Sequence, residues 1–471
     1  MRTESVMQHL QRRLAILAGA VATVLASAGA VSAQSRPPNI VMIVGDDMGY
    51  ADIGIHGSKD IPTPNIDALA RAGIRFTDAY VTGPHCSPTR AGLLTGRYQQ
   101  RFGHEVNMGA GSGPNGGLPL GETTMADRLK AAGYRTALFG KWHLGSAEQL
   151  HPLSRGFDEF YGFLGGEHSY FESSPSGTNP LMDDRNRVEA SGYLTDVLTD
   201  RAVAFIKREK ARPFFLYLAY NAVHTPMHAP EKYLVRFKGI ADEQRRTYAA
   251  MMSAMDDGIG RTLDALRSEG LEEDSLVFFF SDNGGPTMPT TTINGSTNTP
   301  LRGSKRQTWE GGIRVPFIIR WKGRLAEQKI DSRPIIQLDV LPTALAAAGV
   351  ESKAEWKLDG VNLLPYLTGK LNGTPHEALY WRLFAHMAIR KGPWKLVKSA
   401  EGPLLDTDTS NPDLSGAQLF NLVDDIGEKN DLAPAHPEKV KELADDWLRW
   451  SKEMAKPLWG PGAGGRGAMP H

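Results

Sequence analysis

Residues 40–47 read Ile40-Val41-Met42-Ile43-Val44-Gly45-Asp46-Asp47, five apolar residues running straight into a glycine and two acids. An unbroken apolar run of this length, without polar alternation, fits a strand covered on both faces, as at the centre of a parallel sheet. The pattern recurs three times: Thr136 to Phe139 before Gly140-Lys141, Phe214 to Ala219 before Asn221, and Leu276 to Phe280 before Ser281-Asp282-Asn283. Open α/β sheets bind ligands beyond the carboxyl ends of their strands, so the polar residues that follow each run are the first candidates for a site.

Helix patterns lie between these runs. Thr63 as N-cap and Pro64 at the first helical position open one that carries Ile66, Leu69 and Ala70 and stops at Gly73. Another places Met255, Ile259, Leu263 and Leu266 on one stripe, with Gly270 as its stop. Alternating strands and helices predict an α/β fold with a doubly wound, mostly parallel sheet from about Pro38 to about Gly349. Two short β-like runs follow, around Tyr380-Trp381 and Trp394 to Val397, then a helix pattern from Pro437 to Met454 with Val440, Leu443 and Trp447 on one side. They predict a smaller C-terminal α+β domain, giving a catalytic domain over 34–365, the smaller domain over 366–459 and a Gly-rich flexible tail over 460–471.

Composition excludes several classes. The 471 residues include 53 Lys+Arg and 53 Asp+Glu, 41% hydrophobic residues and a single Cys. This balance opposes both disorder and a global attraction to nucleic acid, and one thiol forbids an internal disulfide. At the N-terminus, Arg2, Arg12 and Arg13 precede the apolar run Leu14 to Val31, and Val31-Ser32-Ala33 offers a small-residue cleavage site before Gln34. This pattern reads as a signal peptide over 1–33, and hence an exported, periplasmic or secreted protein without stable membrane insertion after cleavage; the alternative is an uncleaved anchor. Removing three basic residues and one acidic residue, Glu4, turns the balanced charge to −2. Attraction of an anionic substrate would then have to be local.

The most informative segment is Cys86-Ser87-Pro88-Thr89-Arg90, with Leu94-Thr95-Gly96-Arg97 close behind. At ordinary residue frequencies, Pro two positions and Arg four positions after a given Cys arise by chance about once in a few hundred trials. The segment resembles the signature of the type I sulfatases of the alkaline-phosphatase superfamily, in which a Cys-x-Pro-x-Arg core directs oxidation of the cysteine to formylglycine. Gly133-Tyr134-Arg135-Thr136 leading to Gly140-Lys141-Trp142-His143 is similar to the second signature of that family, and Asn221 to Pro226, Leu301 to Lys305 and Glu310-Gly311-Gly312 continue the likeness in order. Thr89 stands where Ser is commoner in the family.

The residues themselves point the same way. Asp46, Asp47, Asp282 and Asn283 are oxygen donors delivered by two strand ends, a set suited to Ca²⁺ and also to Mg²⁺. Zinc fits less well, because Pro226 opposes the helix that would align His224 with His228. The resemblance implies that Asp46, Asp47, Asp282, Asn283 and the modified Cys86 hold the cation. It also implies that Arg90 holds the nucleophilic diol, Lys141 and Lys305 clamp sulfate oxygens, His143 removes a proton from the diol, and His224 protonates the leaving oxygen. A formylglycine-generating maturation enzyme is the implied partner.

The reaction predicted is hydrolysis of a sulfate ester. Aromatic and cationic residues in Tyr380-Trp381-Arg382 and Arg390 to Lys395 suggest a sulfated polysaccharide or oligosaccharide, in a segment similar to that of N-acetylgalactosamine 6-sulfatase-like and arylsulfatase-like proteins. Two alternatives stay open: a formylglycine-dependent phosphonate monoester or phosphodiester hydrolase, and a non-catalytic glycan-binding homologue.

Overall fold

The computed structural model describes residues 36–108, 116–289, 291–400 and 412–459. The expected signal peptide and the Gly-rich tail over 460–471 lie outside them. Ten strands form one sheet in the spatial order Lys329–Asp331, Ile74–Phe76, Phe317–Arg320, Ser275–Ser281, Asn39–Gly45, Phe214–Ala219, Arg135–Lys141, Glu159–Phe163, Leu181–Asp183 and Asn186–Val188. The five strands from Ser275–Ser281 to Glu159–Phe163 are mutually parallel; Phe317–Arg320 and Leu181–Asp183 run antiparallel to them, and Asn186–Val188 pairs antiparallel with Leu181–Asp183. All four apolar runs fall inside this parallel centre.

Their lack of alternation has a direct cause, since both faces are covered. Val41, Ile43, Leu216, Leu218 and Phe279 pack toward the helices Leu194–Glu209 and Glu243–Ser268. Ile40, Met42, Phe215, Tyr217 and Phe278 pack toward Cys86–Thr95, Met125–Ala131 and Val340–Ala347. The doubly wound, mostly parallel expectation therefore holds. One local detail differs: Thr63 does not cap the helix Pro64–Arg71 with its side chain. Asp256, reaching across from Glu243–Ser268, accepts from the Asn65 and Ile66 amides at 3.1 and 2.8 Å instead. The tertiary partner supplies the anion that local sequence was expected to provide.

A second, antiparallel sheet is built from Ala378–Leu383, His386–Lys391, Trp394–Lys398 and Gln418–Asn421, with Pro437–Lys452 packed through Leu443, Trp447 and Trp450. It shares a core with Tyr80, Tyr98, Trp309 and Ile313 of the larger part. The aromatic and cationic residues expected to meet a carbohydrate are used here for packing. Trp381 is buried and donates to the Val81 carbonyl at 2.6 Å, and Arg382 pairs with buried Glu105. Arg390 pairs with Asp78 at 2.6 Å, and Lys395 lies 2.8 Å from both Glu310 and Glu428. Arg314 completes the network through Asp78 and Glu310. For Trp381, Arg382, Arg390 and Lys395 that assignment is corrected: they are buried and join the two sheets.

Because Lys395, Glu310 and Glu428 are fully buried, removing the cation takes from Glu428 its cationic partner in low dielectric and leaves Glu310 to Arg314. Lys395→Met should destabilise the fold by about 3–5 kcal/mol. A denaturant titration followed by tryptophan fluorescence checks this, and a midpoint equal to that of the unchanged chain would contradict it.

Candidate active site

Parallel pairing brings the two acidic motifs together. Asn39–Gly45 and Ser275–Ser281 run side by side with Gly45 opposite Ser281, so Asp46-Asp47 and Asp282-Asn283 emerge from neighbouring strand ends. The Asp47 amide donates to Asp282 Oδ1 at 3.2 Å, and Asn283 Nδ2 donates to Asp47 Oδ1 at 2.7 Å. Asp47 adopts a left-handed backbone with φ 60°, which turns the chain sharply after Asp46. Acidic and amide side chains tolerate that region better than most residues.

Two further strand ends deliver the basic groups. Lys141 closes Arg135–Lys141, and its Nζ lies 2.5 Å from Asp46 Oδ2. Beyond Phe214–Ala219, His224 places Nε2 3.5 Å from Asp47 Oδ2, while its Nδ1 lies 2.7 Å from the Thr225 carbonyl. Lys305 arrives from the loop before Glu310, with Nζ 2.8 Å from Asp47 Oδ2.

Cys86 is the first residue of the buried helix Cys86–Thr95, and its Sγ sits 3.6 Å from Asp46 Oδ1. Arg90 lies one turn on and therefore on the same face. It donates through Nε and Nη2 to Asp282 Oδ2 at 3.0 and 2.8 Å, and through Nη1 to the Lys141 carbonyl at 3.1 Å. The expected residues Asp46, Asp47, Cys86, Arg90, Lys141, His224, Asp282, Asn283 and Lys305 thus form one connected cluster. His143 joins it through the backbone, since its carbonyl accepts from Ser87 Oγ at 2.7 Å.

Burial and charge set the protonation states. Burial raises the Cys86 thiol, but Lys141 and Lys305 outweigh it and bring it down to about 7. Burial pushes Asp46 up against the opposing pull of Lys141. Asp282 rises to about 6 through burial and its neighbour Asp46. Asp47 moves the other way, because Lys305 and His224 overcome its desolvation. His224 is raised: burial opposes its charge, and Asp47 more than restores it. His143 is held far below the ordinary imidazole range by burial and by Lys141. The two histidines are therefore pushed in opposite directions, His224 toward its protonated form and His143 toward its neutral form.

The donor set fits a hard divalent cation. One ligand atom from each of Asp46, Asp47, Cys86 and His224 falls within 4.8 Å of the others. Asn283 Oδ1 is buried without a hydrogen-bond partner, although the same amide's nitrogen is bonded. A buried carbonyl oxygen left unpaired beside carboxylates is what a cation would satisfy.

Some neighbours carried no usable sequence signal. Ser87 Oγ lies 2.6 Å from His104 Nε2 as well as donating to His143, and the His104 ring meets Trp459 at 4.8 Å. Gly166 borders the His143 ring so closely that a Cβ there would approach Cε1 to 2.7 Å. Only distant folding brings these residues to the site, and a lone His or Gly has no motif. His228, which sequence reasoning kept out of the ligand set, packs its ring against Tyr170 and Phe171.

A family model described as Sulfatase matches residues 38–350. The chain is 34% identical to mouse N-acetylgalactosamine-6-sulfatase over 394 residues, covering 79% of this chain and 74% of that protein. It is 31% identical to mouse steryl-sulfatase over 541 aligned positions, covering 92% and 84% respectively. Among solved structures, Ps i-CgsB in complex with k-i-k-neocarrahexaose superposes with a TM-score of 0.81 at 37% identity, covering 90% of this chain and 95% of that one.

Proposed function

The chain belongs to the sulfatase family, whose members hydrolyse sulfate esters, and we propose that this one acts on a sulfated polysaccharide or its oligosaccharides through formylglycine made from Cys86. The observation that carries the reading is the position of Cys86 at a helix start, 3.6 Å from Asp46 and within one cluster of acids and cations. A saccharide is supported by the neocarrahexaose bound to Ps i-CgsB and by the likeness to N-acetylgalactosamine-6-sulfatase.

Asp46, Asp47, Asp282 and Asn283, with the modified residue 86, would hold the cation, for which Ca²⁺ is preferred and Mg²⁺ is the alternative. Hydrated formylglycine supplies a geminal diol as nucleophile, and the cation supplies positive charge that favours its deprotonated form and draws charge from sulfate oxygens. The remaining chemistry belongs to the side chains. Arg90 is braced between Asp282 and the Lys141 carbonyl and orients residue 86. Lys141 and Lys305 present charge to the equatorial sulfate oxygens. His224 carries a proton at Nε2 for the departing ester oxygen, with Asp47 favouring its charged form. His143, held neutral with Nδ1 unpartnered, accepts the proton whose removal from the second hydroxyl releases sulfate. Export, with cleavage before Gln34, and oxidation by a formylglycine-generating enzyme complete the proposal.

The test combines mass and turnover. Oxidation of Cys86 to formylglycine lowers the intact mass by about 18 Da. The preparation should then release sulfate from at least one member of a panel of carrageenan, chondroitin, heparan and fucoidan oligosaccharides, measured by ion chromatography. An unmodified cysteine in fully active protein would overturn the formylglycine route. Efficient cleavage of bis-4-nitrophenyl phosphate with no sulfate release would replace the reaction itself.

A further inference from the structure

The segment from Gly165 to Phe171 runs from one candidate catalytic histidine to the other. At its start Gly166 lies against the His143 ring. At its end Tyr170 is buried, and its hydroxyl lies 2.6 Å from the Asn221 carbonyl and 2.9 Å from the His224 carbonyl. The segment is braced from within: Asn179 accepts from the Gly165 amide at 3.0 Å and donates to the Glu167 carbonyl at 2.7 Å. The next residue out, Phe171, is 43% exposed. Its ring is fixed by Tyr193 at 5.3 Å and His228 at 5.9 Å, while Tyr193 stacks on Tyr170 at 5.6 Å and donates to the His228 carbonyl at 3.1 Å. An aromatic cluster tied to the His224 carbonyl through Tyr170 therefore carries a partly exposed Phe171.

We propose that Phe171, flanked by His228, is a stacking platform for a sugar ring adjacent to the one that carries the scissile sulfate. This rests on the sulfated-saccharide reading. The C–H face of a pyranose is apolar enough to stack on an aromatic ring, and a ring already held in place loses little freedom on binding. Phe171 carries no charge, so it adds affinity for the sugar without competing for the sulfate, which Lys141 and Lys305 face. Trp381, one of the rings first expected to bind saccharide, is buried between the sheets, whereas Phe171 is exposed.

Kinetics of Phe171→Ala and Phe171→Trp on the oligosaccharide the unchanged enzyme turns over best, and on 4-nitrophenyl sulfate, test the platform. The nitrophenyl ester has no neighbouring sugar. Phe171→Ala should raise KM for the saccharide about tenfold, leave kcat within about twofold and leave 4-nitrophenyl sulfate unaffected, whereas Phe171→Trp should preserve the saccharide KM. An unchanged saccharide KM in the alanine variant, or equal losses on both substrates, would overturn the platform. If the unchanged enzyme hydrolyses 4-nitrophenyl sulfate but no saccharide in the panel, the saccharide reading fails and the platform with it. That result is distinguishable from failure of the platform alone, because it appears before any substitution is made.

Discussion

Cys86→Ser should lower steady-state sulfate release by at least about 10⁴-fold, although the substitution changes one atom. The loss is chemical in origin. Residue 86 opens a buried helix, and a serine Oγ there would face the same Asp46 and Lys141, so sulfur in the substrate remains open to attack. What serine lacks is the second hydroxyl of an aldehyde hydrate. Once its single oxygen carries sulfate, His143 finds no proton whose removal would expel that group. The variant is therefore expected to complete one turnover and stop, gaining about 80 Da in intact mass on incubation with substrate. Cys86→Ala, with no nucleophile, should show the same loss of activity and no mass gain. A serine variant turning over at more than about one hundredth of the unchanged rate would remove formylglycine from the reaction.

Several determinants of the site were legible because they are local. Each strand end announces itself as an apolar run followed by a polar residue, and Cys86 and Arg90 share a face because they are one helical turn apart. Pairing between distant segments was not legible in the same way. Gly45 and Ser281 meet only through the register of two strands, yet that meeting converts two ordinary acidic pairs into one donor set. The same limit explains the errors. Trp381, Arg390 and Lys395 have the composition of a saccharide surface, but burial against Val81, Asp78 and Glu310 gives them another use. Nothing near Thr63 in sequence predicts that Asp256 will take over at the N-terminus of its helix. Edge strands such as Lys329–Asp331 are too short and too polar for periodicity to reveal them.

Asp47→Asn should abolish cation-dependent stabilisation and lower activity by at least about 10³-fold. The substitution keeps shape and backbone, since asparagine tolerates the left-handed conformation at this position and can still accept from Asn283. Charge is what changes. Asp46, Asp47 and Asp282 face Arg90, Lys141 and Lys305 in a nearly closed set of ion pairs, so the protein alone is close to neutral here. A bound dication makes the same site strongly positive, which suits an anionic ester. Without the Asp47 charge, Lys305 and His224 lose their acid, the donor set falls from three carboxylates to two, and a dication must enter a site that is already positive. The measurement is a thermal unfolding midpoint with EDTA and with added Ca²⁺. At a calcium concentration about 100 times its dissociation constant, the unchanged protein should gain about 2.7 kcal/mol, and Asp47→Asn should gain almost nothing. Equal calcium-induced shifts in the two proteins would place the cation elsewhere. A full loss of activity with an intact calcium shift would instead confine Asp47 to holding Lys305 and His224 in place.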